Sequence, residues 1–362
     1  MAKSFAVALA LALQLAPWAW AAYTLEEALA DLAGGTLEEQ CEAAEYLGTT
    51  GEEAALEPLI VALGDENPEL RQRAAMALGE LGSSRAVPAL VGVLSDRDRA
   101  VQWFAATSLA KLGEPATKAL LAELRSGDRD AAVGAAVALG RMKEAKAVGP
   151  LVDLLAAQDL YVREQAIEAL VAIGEPSVGP LVKSLGSGDA AVRRSAVVAL
   201  GRIADAEAAA ALVKLLGDSD PVTRQSAMVA LRDMGSAAYE PLEEALASGE
   251  PAAQKGACEI VGFIRDARAV RPVAALLEAE DESVRWTAAK TLGALDGKYA
   301  VESLIGACRD SSPRVREVAV LALGRIKHFD AVPTLSRVAE EDPDDAVRAA
   351  AAEALAAIAG HK

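Results

Sequence analysis

The sequence predicts an all-α protein, a right-handed α-solenoid of about ten helical hairpins of 30–32 residues with half-repeats at both ends. Three periodic features carry that expectation. The central residue of an Ala-Leu-Gly-like triplet recurs at Leu47, Leu78, Leu109, Leu139, Leu170, Leu200, Leu231, Val261, Leu292, Leu323 and Leu355. Seven residues earlier stands the second member of a Val-Arg-like pair, at Gln40, Arg71, Gln102, Ala132, Arg163, Arg193, Arg224, Gln254, Arg285, Arg316 and Arg348. Four residues earlier again comes a helix-capping type, at Thr36, Asn67, Asp98, Asp128, Asp159, Asp189, Asp220, Glu250, Asp281, Ser312 and Asp344. A fixed period of this length builds one long core shared by neighbouring units instead of two or three separate globules.

Residues 1–21 stand outside the period and read as a signal peptide, leaving 22–362 as the solenoid. Lys3 gives a positive start, Ser4 to Leu15 is apolar, and Ala19-Trp20-Ala21 has the small-x-small cleavage pattern. The stretch is shorter than the roughly 20 residues a membrane span needs, and no cysteine stands at the cleavage point for lipid attachment. Export to a periplasmic or secreted location is the expectation, with cleavage before Ala22 and no stable membrane insertion afterwards. A retained amino-terminal anchor is the alternative. Thr24-Leu25-Glu26-Glu27 and Thr36-Leu37-Glu38-Glu39 then both carry capping-box spacing.

Within each repeat the first helix opens on its cap, whose short oxygen side chain satisfies free amides of the first turn. Proline follows directly at Pro68, Pro221, Pro251 and Pro313, where a missing amide costs nothing. The helix is expected to run from the Arg position to the glycine after the leucine, as in Ala77-Leu78-Gly79. A second glycine at Gly82, Gly113 or Gly174 suits its C-terminus. A second helix follows, with proline near its start at Pro58, Pro88, Pro150, Pro180, Pro241, Pro272 and Pro333. Its apolar spacing is helical, as in Val148, Leu151, Val152 and Leu155. In the fourth repeat Ala132 replaces the arginine and Gly134 follows, so residues 128–142 are expected to open early.

Strings such as Asp189-Ala190-Ala191-Val192-Arg193-Arg194-Ser195-Ala196-Val197-Val198-Ala199-Leu200-Gly201 resemble the HEAT-like repeats named after the phycobilisome lyases, over about residues 24 to 360. The resemblance implies the solenoid fold, and it implies an Asp–Arg series here pairing Asp159 with Arg163, Asp189 with Arg193, Asp220 with Arg224 and Asp281 with Arg285. Gln40, Gln102, Ala132 and Gln254 depart from it. The family hosts enzymes, adaptors and regulators, so it does not fix a function. Deoxyhypusine hydroxylases of similar architecture hold iron through His-Glu dipeptides, and this chain has none.

Composition narrows the function classes. A formal charge of −17 is opposite to the basic footprint of a nucleic-acid binder and unsuited to anionic lipid. Of the two histidines, His328 falls between helices and His361 one residue from the end, and neither has a partner at metal-ligand spacing. Cys41, Cys258 and Cys308 form no CxxC pattern, and whether Cys258 and Cys308 of neighbouring repeats are bridged in an oxidising compartment is left open by the spacing. No catalytic, cofactor or metal residues are assigned.

The informative positions are those that vary. Counting from the Arg position, residues at plus 1, 2, 5 and 9 share one stripe of the first helix. Most repeats place polar residues there, such as Gln72, Glu164 and Gln225. Others carry Trp103, Phe104, Val133, Val137, Phe263 and Trp286, with Arg141 and Arg202 as charged rim residues. These eight residues are the candidate partner-binding set, since aromatic anchors dominate interface energetics. The alternative is that Trp103 and Phe104 tuck against the next repeat. The leading functional expectation is an exported, non-catalytic scaffold that binds a protein or extended peptide through this face. The alternative is a lyase-like or other enzyme subunit acting on a chromophore or prosthetic group.

Overall fold

The computed structural model describes residues 23–218, 220–295 and 298–360. The signal peptide expected over 1–21, with its cleavage point, and His361 lie outside them. Helices, joined by short turns, account for the described residues, and no strand occurs among them. The chain is an α-solenoid built as two compact units, one up to Ser177 and one from Val178.

Eleven helices follow the triplet period. In the first unit they are α1 (Leu37–Thr50), α2 (Pro68–Leu81), α3 (Arg99–Leu112), α4 (Arg129–Met142) and α5 (Leu160–Ile173). In the second they are α6 (Ala190–Ile203), α7 (Pro221–Met234), α8 (Pro251–Ile264), α9 (Glu282–Leu295), α10 (Pro313–Ile326) and α11 (Asp345–Ala359). Shorter helices such as Glu114–Glu123 and Val332–Glu341 alternate with them. Both capping boxes form, at Thr24 with Glu27 and at Thr36 with Glu39. The Asp98, Asp128, Asp159 and Asp344 carboxylates each accept two amides of the following turn. Glu250 and Ser312 make no such bond.

The helices begin earlier and end later than the sequence pattern indicates. α2 starts three residues before Arg71 and continues two beyond Gly79, so the triplet glycine is interior and not terminal. Its role is steric. A Cβ on Gly48 would lie 2.7 Å from Cα of Ala77, and one on Gly140 would lie 2.8 Å from Cα of Ala169. In the second unit Gly201 meets Ala230, Gly293 meets Ala322 and Gly324 meets Ala354 in the same way. Each contact joins the glycine of one triplet to the first residue of the next. The triplet is therefore a packing device: its first residue accepts the preceding glycine, its leucine fills the core, and its glycine admits the following helix. Where serine or threonine replaces alanine, the hydroxyl binds back across the crossing. Ser108 Oγ donates to the Ala75 carbonyl at 2.7 Å, and Thr291 Oγ1 to that of Cys258 at 3.2 Å. The second glycines do terminate helices, with Gly82 and Gly113 at positive φ. Gly134 also has a packing reason, because a Cβ there would meet Cδ2 of the buried Leu94 at 2.7 Å.

The arginine series is real, but its partner is not the cap. Arg71 donates through Nε and Nη2 to the Asp96 carboxylate at 2.8 and 2.7 Å, and through Nη1 to the carbonyls of Asp65 and Glu66. Arg285 binds Asp310 and Arg316 binds Asp342 with the same bidentate geometry. Arg193 reaches Asp218 more loosely, at 3.4 Å. Asp189, Asp220 and Asp281 instead accept helical amides, because a cap carboxylate is aimed at its own first turn. Asp159 caps too, and its salt bridge goes to Arg129 and not Arg163. Gln102 and Gln254 keep the backbone half of the arginine's work, donating to the carbonyls of Asp96 and Leu246. The acid is missing from the following slot in those repeats, which holds Ser126 and Ala279. Charge and countercharge are lost together there, so neither is buried unpaired.

Cys41, Cys258 and Cys308 are separate, buried thiols, and the Cys258–Cys308 bridge that the sequence leaves open is not made. Cys258 is a fully enclosed filler on α8. Burial pushes the Cys258 and Cys308 thiols up to about 12, which suppresses the reactive thiolate.

Candidate functional site

The first unit carries a groove of about 250 Å³ across α3, α4 and the start of α5. Its shape follows from side-chain sizes. α3 contributes the large Trp103, α5 contributes Tyr161, and α4 between them presents the small Val133, Gly134 and Val137 beyond Arg129 and Asp130 of its first turn. Two bulky walls over a low floor make a trough. Trp103 is 45% exposed and Tyr161 41%. The neighbouring Leu160 is 73% exposed.

Both walls are faced by guanidinium groups. Arg141 lies 5.1 Å from the Trp103 ring centroid and donates from Nη1 to Thr107 Oγ1 at 2.8 Å. Thr107 in turn donates to the Trp103 carbonyl at 2.8 Å. Phe104 meets the Trp103 ring edge-on at 5.0 Å. The indole is thus held between a cation and an aromatic edge while part of its surface stays in water. On the other wall Arg129 lies 5.3 Å from the Tyr161 ring and pairs with Asp130 and Asp159. The Arg129 hydrogen bond, followed by the Val162 amide, holds the Asp159 carboxyl below its ordinary range.

Of the candidate residues, Trp103, Phe104, Val133, Val137 and Arg141 come together here. Val133 is only 8% exposed, so it is floor and not exposed patch, while Val137 and Phe104 are half-buried. Arg202, Phe263 and Trp286 belong to the second unit. Arg202 borders a separate, mostly apolar cavity of about 400 Å³ with Val198, Val222 and Asp233. Phe263 is 64% exposed beneath Arg232, at 4.8 Å, and half-buried Trp286 stacks with Lys290 at 5.2 Å. Arg129 and Tyr161 were not legible as site residues, because the stripe was counted only forward from the Arg position and both fall in the first turn. The available signal was Leu160-Tyr161, where the next repeat has Ala190-Ala191.

Among the described residues, no three His, Cys, Asp or Glu side chains are placed to share a metal ion. Nor is any helix there long and apolar enough to cross a membrane.

A family model for HEAT repeats matches residues 25–94, 56–137, 117–186, 178–252, 239–313 and 301–362. The chain belongs to the HEAT-repeat family. Among solved structures it is similar to an engineered protein, 24% identical with a TM-score of 0.31, covering 92% of this chain and 98% of that one. It is also similar to the karyopherin Kap121p bound to the extreme C-terminus of the protein phosphatase Cdc14p. That match is 15% identical with a TM-score of 0.49, covering 92% of this chain and 45% of that one. A third similarity is to human deoxyhypusine hydroxylase in complex with glycerol, 25% identical with a TM-score of 0.30, covering 69% of this chain and 99% of that one. No curated protein matches the sequence.

Proposed function

We propose that this chain is an exported, non-catalytic HEAT-repeat scaffold that binds a protein partner through the variable stripe of its first-type helices, with the α3–α5 groove as the anchor site. The observation that carries the reading is Trp103. A core tryptophan is enclosed, whereas this ring is 45% exposed and held by Phe104 and Arg141 over a small-residue floor. Tryptophan, tyrosine and arginine are the residues enriched at interface hot spots, and this groove gathers all three. Its 250 Å³ is below the roughly 300–1,000 Å³ of small-molecule sites and suits an inserted side chain of a larger partner.

The test is a pull-down from the cell envelope with the mature chain, beside a Trp103→Ala, Phe104→Ala double variant. For the recovered partner, Trp103→Ala alone is expected to weaken binding at least about 30-fold, since an aromatic anchor contributes about 2 kcal/mol or more. The unfolding midpoint should barely move. A loss of about 3–5 kcal/mol in stability, the cost of truncating an enclosed aromatic, would show instead that the ring is packing.

Export rests on Lys3, the apolar run from Ser4 and Ala19-Trp20-Ala21. Amino-terminal sequencing of the native protein should begin at Ala22. A cytoplasmic chain beginning at Met1 or Ala2 would overturn this part of the proposal and leave the groove reading standing.

A further inference from the structure

The groove has a charge pattern as well as a shape. Arg129, Val133, Val137 and Arg141 follow one another at four-residue intervals on α4, so they form a single ridge with an arginine at each end and valines between. On α3, Arg99, Trp103, Thr107 and Lys111 repeat that arrangement. At 1.5 Å per residue, the twelve-residue step from Arg129 to Arg141 is about 18 Å. Lys111 is paired with Glu80 and Arg129 with Asp130 and Asp159. Arg99 and Arg141 have no ion-pair partner among the described residues, and Arg141 donates to the neutral Thr107 and lies over the Trp103 ring. A guanidinium placed over an indole, with one nitrogen held by a hydroxyl, keeps its remaining N–H groups available for a carboxylate. On a chain of formal charge −17, Asp130 and Asp159 are taken up by Arg129 and Glu80 by Lys111, which leaves Arg99 and Arg141 as guanidiniums without a carboxylate partner among the described residues, on either side of an apolar centre.

We infer that the α3–α5 groove receives an extended acidic peptide segment, in which an apolar side chain enters between Trp103 and Tyr161 while flanking carboxylates meet Arg141 at one end and Arg99 at the other. This rests on the proposed protein-binding role and names the chemistry of the segment bound. The line from Arg141 on α4 to Arg99 on α3 adds one interhelix spacing of roughly 10 Å to the same rise of about 18 Å, or about 20 Å in all, which an extended chain at about 3.3 Å per residue spans between acidic residues some five to six positions apart.

The probe is a fluorescein-labelled decapeptide with two glutamates five positions apart flanking a phenylalanine, with glutamine and lysine versions as controls. Binding to the full chain is read by fluorescence anisotropy. The glutamate peptide should bind at least about tenfold more tightly than the glutamine peptide, and the lysine peptide should not bind. Arg141→Gln should reduce that affinity about tenfold and Trp103→Ala further, while Arg314→Gln, on an exposed cation of α10, should leave it unchanged. Equal affinity for the glutamate and glutamine peptides, or indifference to Arg141→Gln, would overturn the acidic specificity. If that occurred while Trp103→Ala still lost the envelope partner, the protein-binding role would survive and only the ligand chemistry would fail. No peptide binding, together with self-association of the chain abolished by Arg141→Gln, would assign the groove to a second copy and overturn the inference.

Discussion

Replacing Asp342 by alanine is expected to destabilise the packing of α11 by about 3 kcal/mol. Arg316 and Asp342 are both buried and bonded bidentately at 2.9 Å. Removing one partner leaves the other charge uncompensated, which costs about 3–5 kcal/mol. Arg316 keeps its bonds to the carbonyls of Asp310 and Ser311, so the lower end of that range applies. Asp342 also accepts the Asp344 amide at the entry to α11, and its own carbonyl accepts from Arg348. The carboxylate therefore ties α10 to the start of α11. Because stability in a repeat stack is a sum of neighbour terms, the loss should be local. Amide exchange over 345–359 should accelerate on the order of 100-fold, from 1.4 kcal/mol per decade, with 37–50 unaffected.

The same pair sets a pH dependence. The Arg316 hydrogen bonds hold the Asp342 carboxyl below its ordinary range against the opposing effect of burial. A carboxyl whose folded value is lowered contributes stability that is complete above its unfolded value of about 3.9. That contribution is lost as pH falls through the lower folded value. The gap between the wild-type chain and Asp342→Ala should be full at neutral pH and close in acid below that folded value. A gap that persists undiminished in strong acid would mean that the carboxylate's charge is not what stabilises the junction.

The fold was legible because its interactions are short-range and periodic. Caps, prolines and triplets repeat with the helices they start and fill, and no distant pairing has to be guessed. The arginine partners were misread for a related reason. The family resemblance implied the cap aspartate four residues away, as Asp281 to Arg285, while the bonded acid lies 25 residues on, as Arg71 to Asp96. Its own periodicity, at Asp96, Asp218, Asp310 and Asp342, was the missed signal. The site was half legible. Trp103 stands where other repeats carry glutamine or glutamate, which marked it, and its ring is 45% exposed. The groove needed three helices in register, and depth depends on what is small as much as on what is large. Val133 looked like patch and is floor, and Gly134 leaves room for Leu94, whose Cδ2 would lie 2.7 Å from a Cβ there.

Replacing Gly140 by leucine is expected to cost about 3 kcal/mol and to disturb the groove without touching any residue that lines it. A Cβ at Gly140 would lie 2.8 Å from Cα and 3.0 Å from Cβ of Ala169 on α5. Ordinary carbon contacts lie near 3.5–4.0 Å, and a backbone atom cannot rotate aside. Leucine is a strong helix former, so local propensity favours the substitution by about 0.5–1 kcal/mol. Any loss is therefore steric. Overpacking a tight contact costs typically 1–3 kcal/mol and occasionally more, and four added carbons at a backbone crossing belong at the upper end. Exchange should accelerate on the order of 100-fold over 129–142 and 160–173. Gly149→Ala is the control, since a Cβ there meets nothing within 4 Å, and it should leave protection unchanged or slightly raised. Tyr161 rides on α5 and the valine floor on α4, so forcing these helices apart should also widen the trough and weaken the acidic peptide. If Gly140→Leu left both exchange and peptide affinity intact, the crossing would be plastic, and the recurring glycine would not be what holds successive helices at the spacing the groove requires.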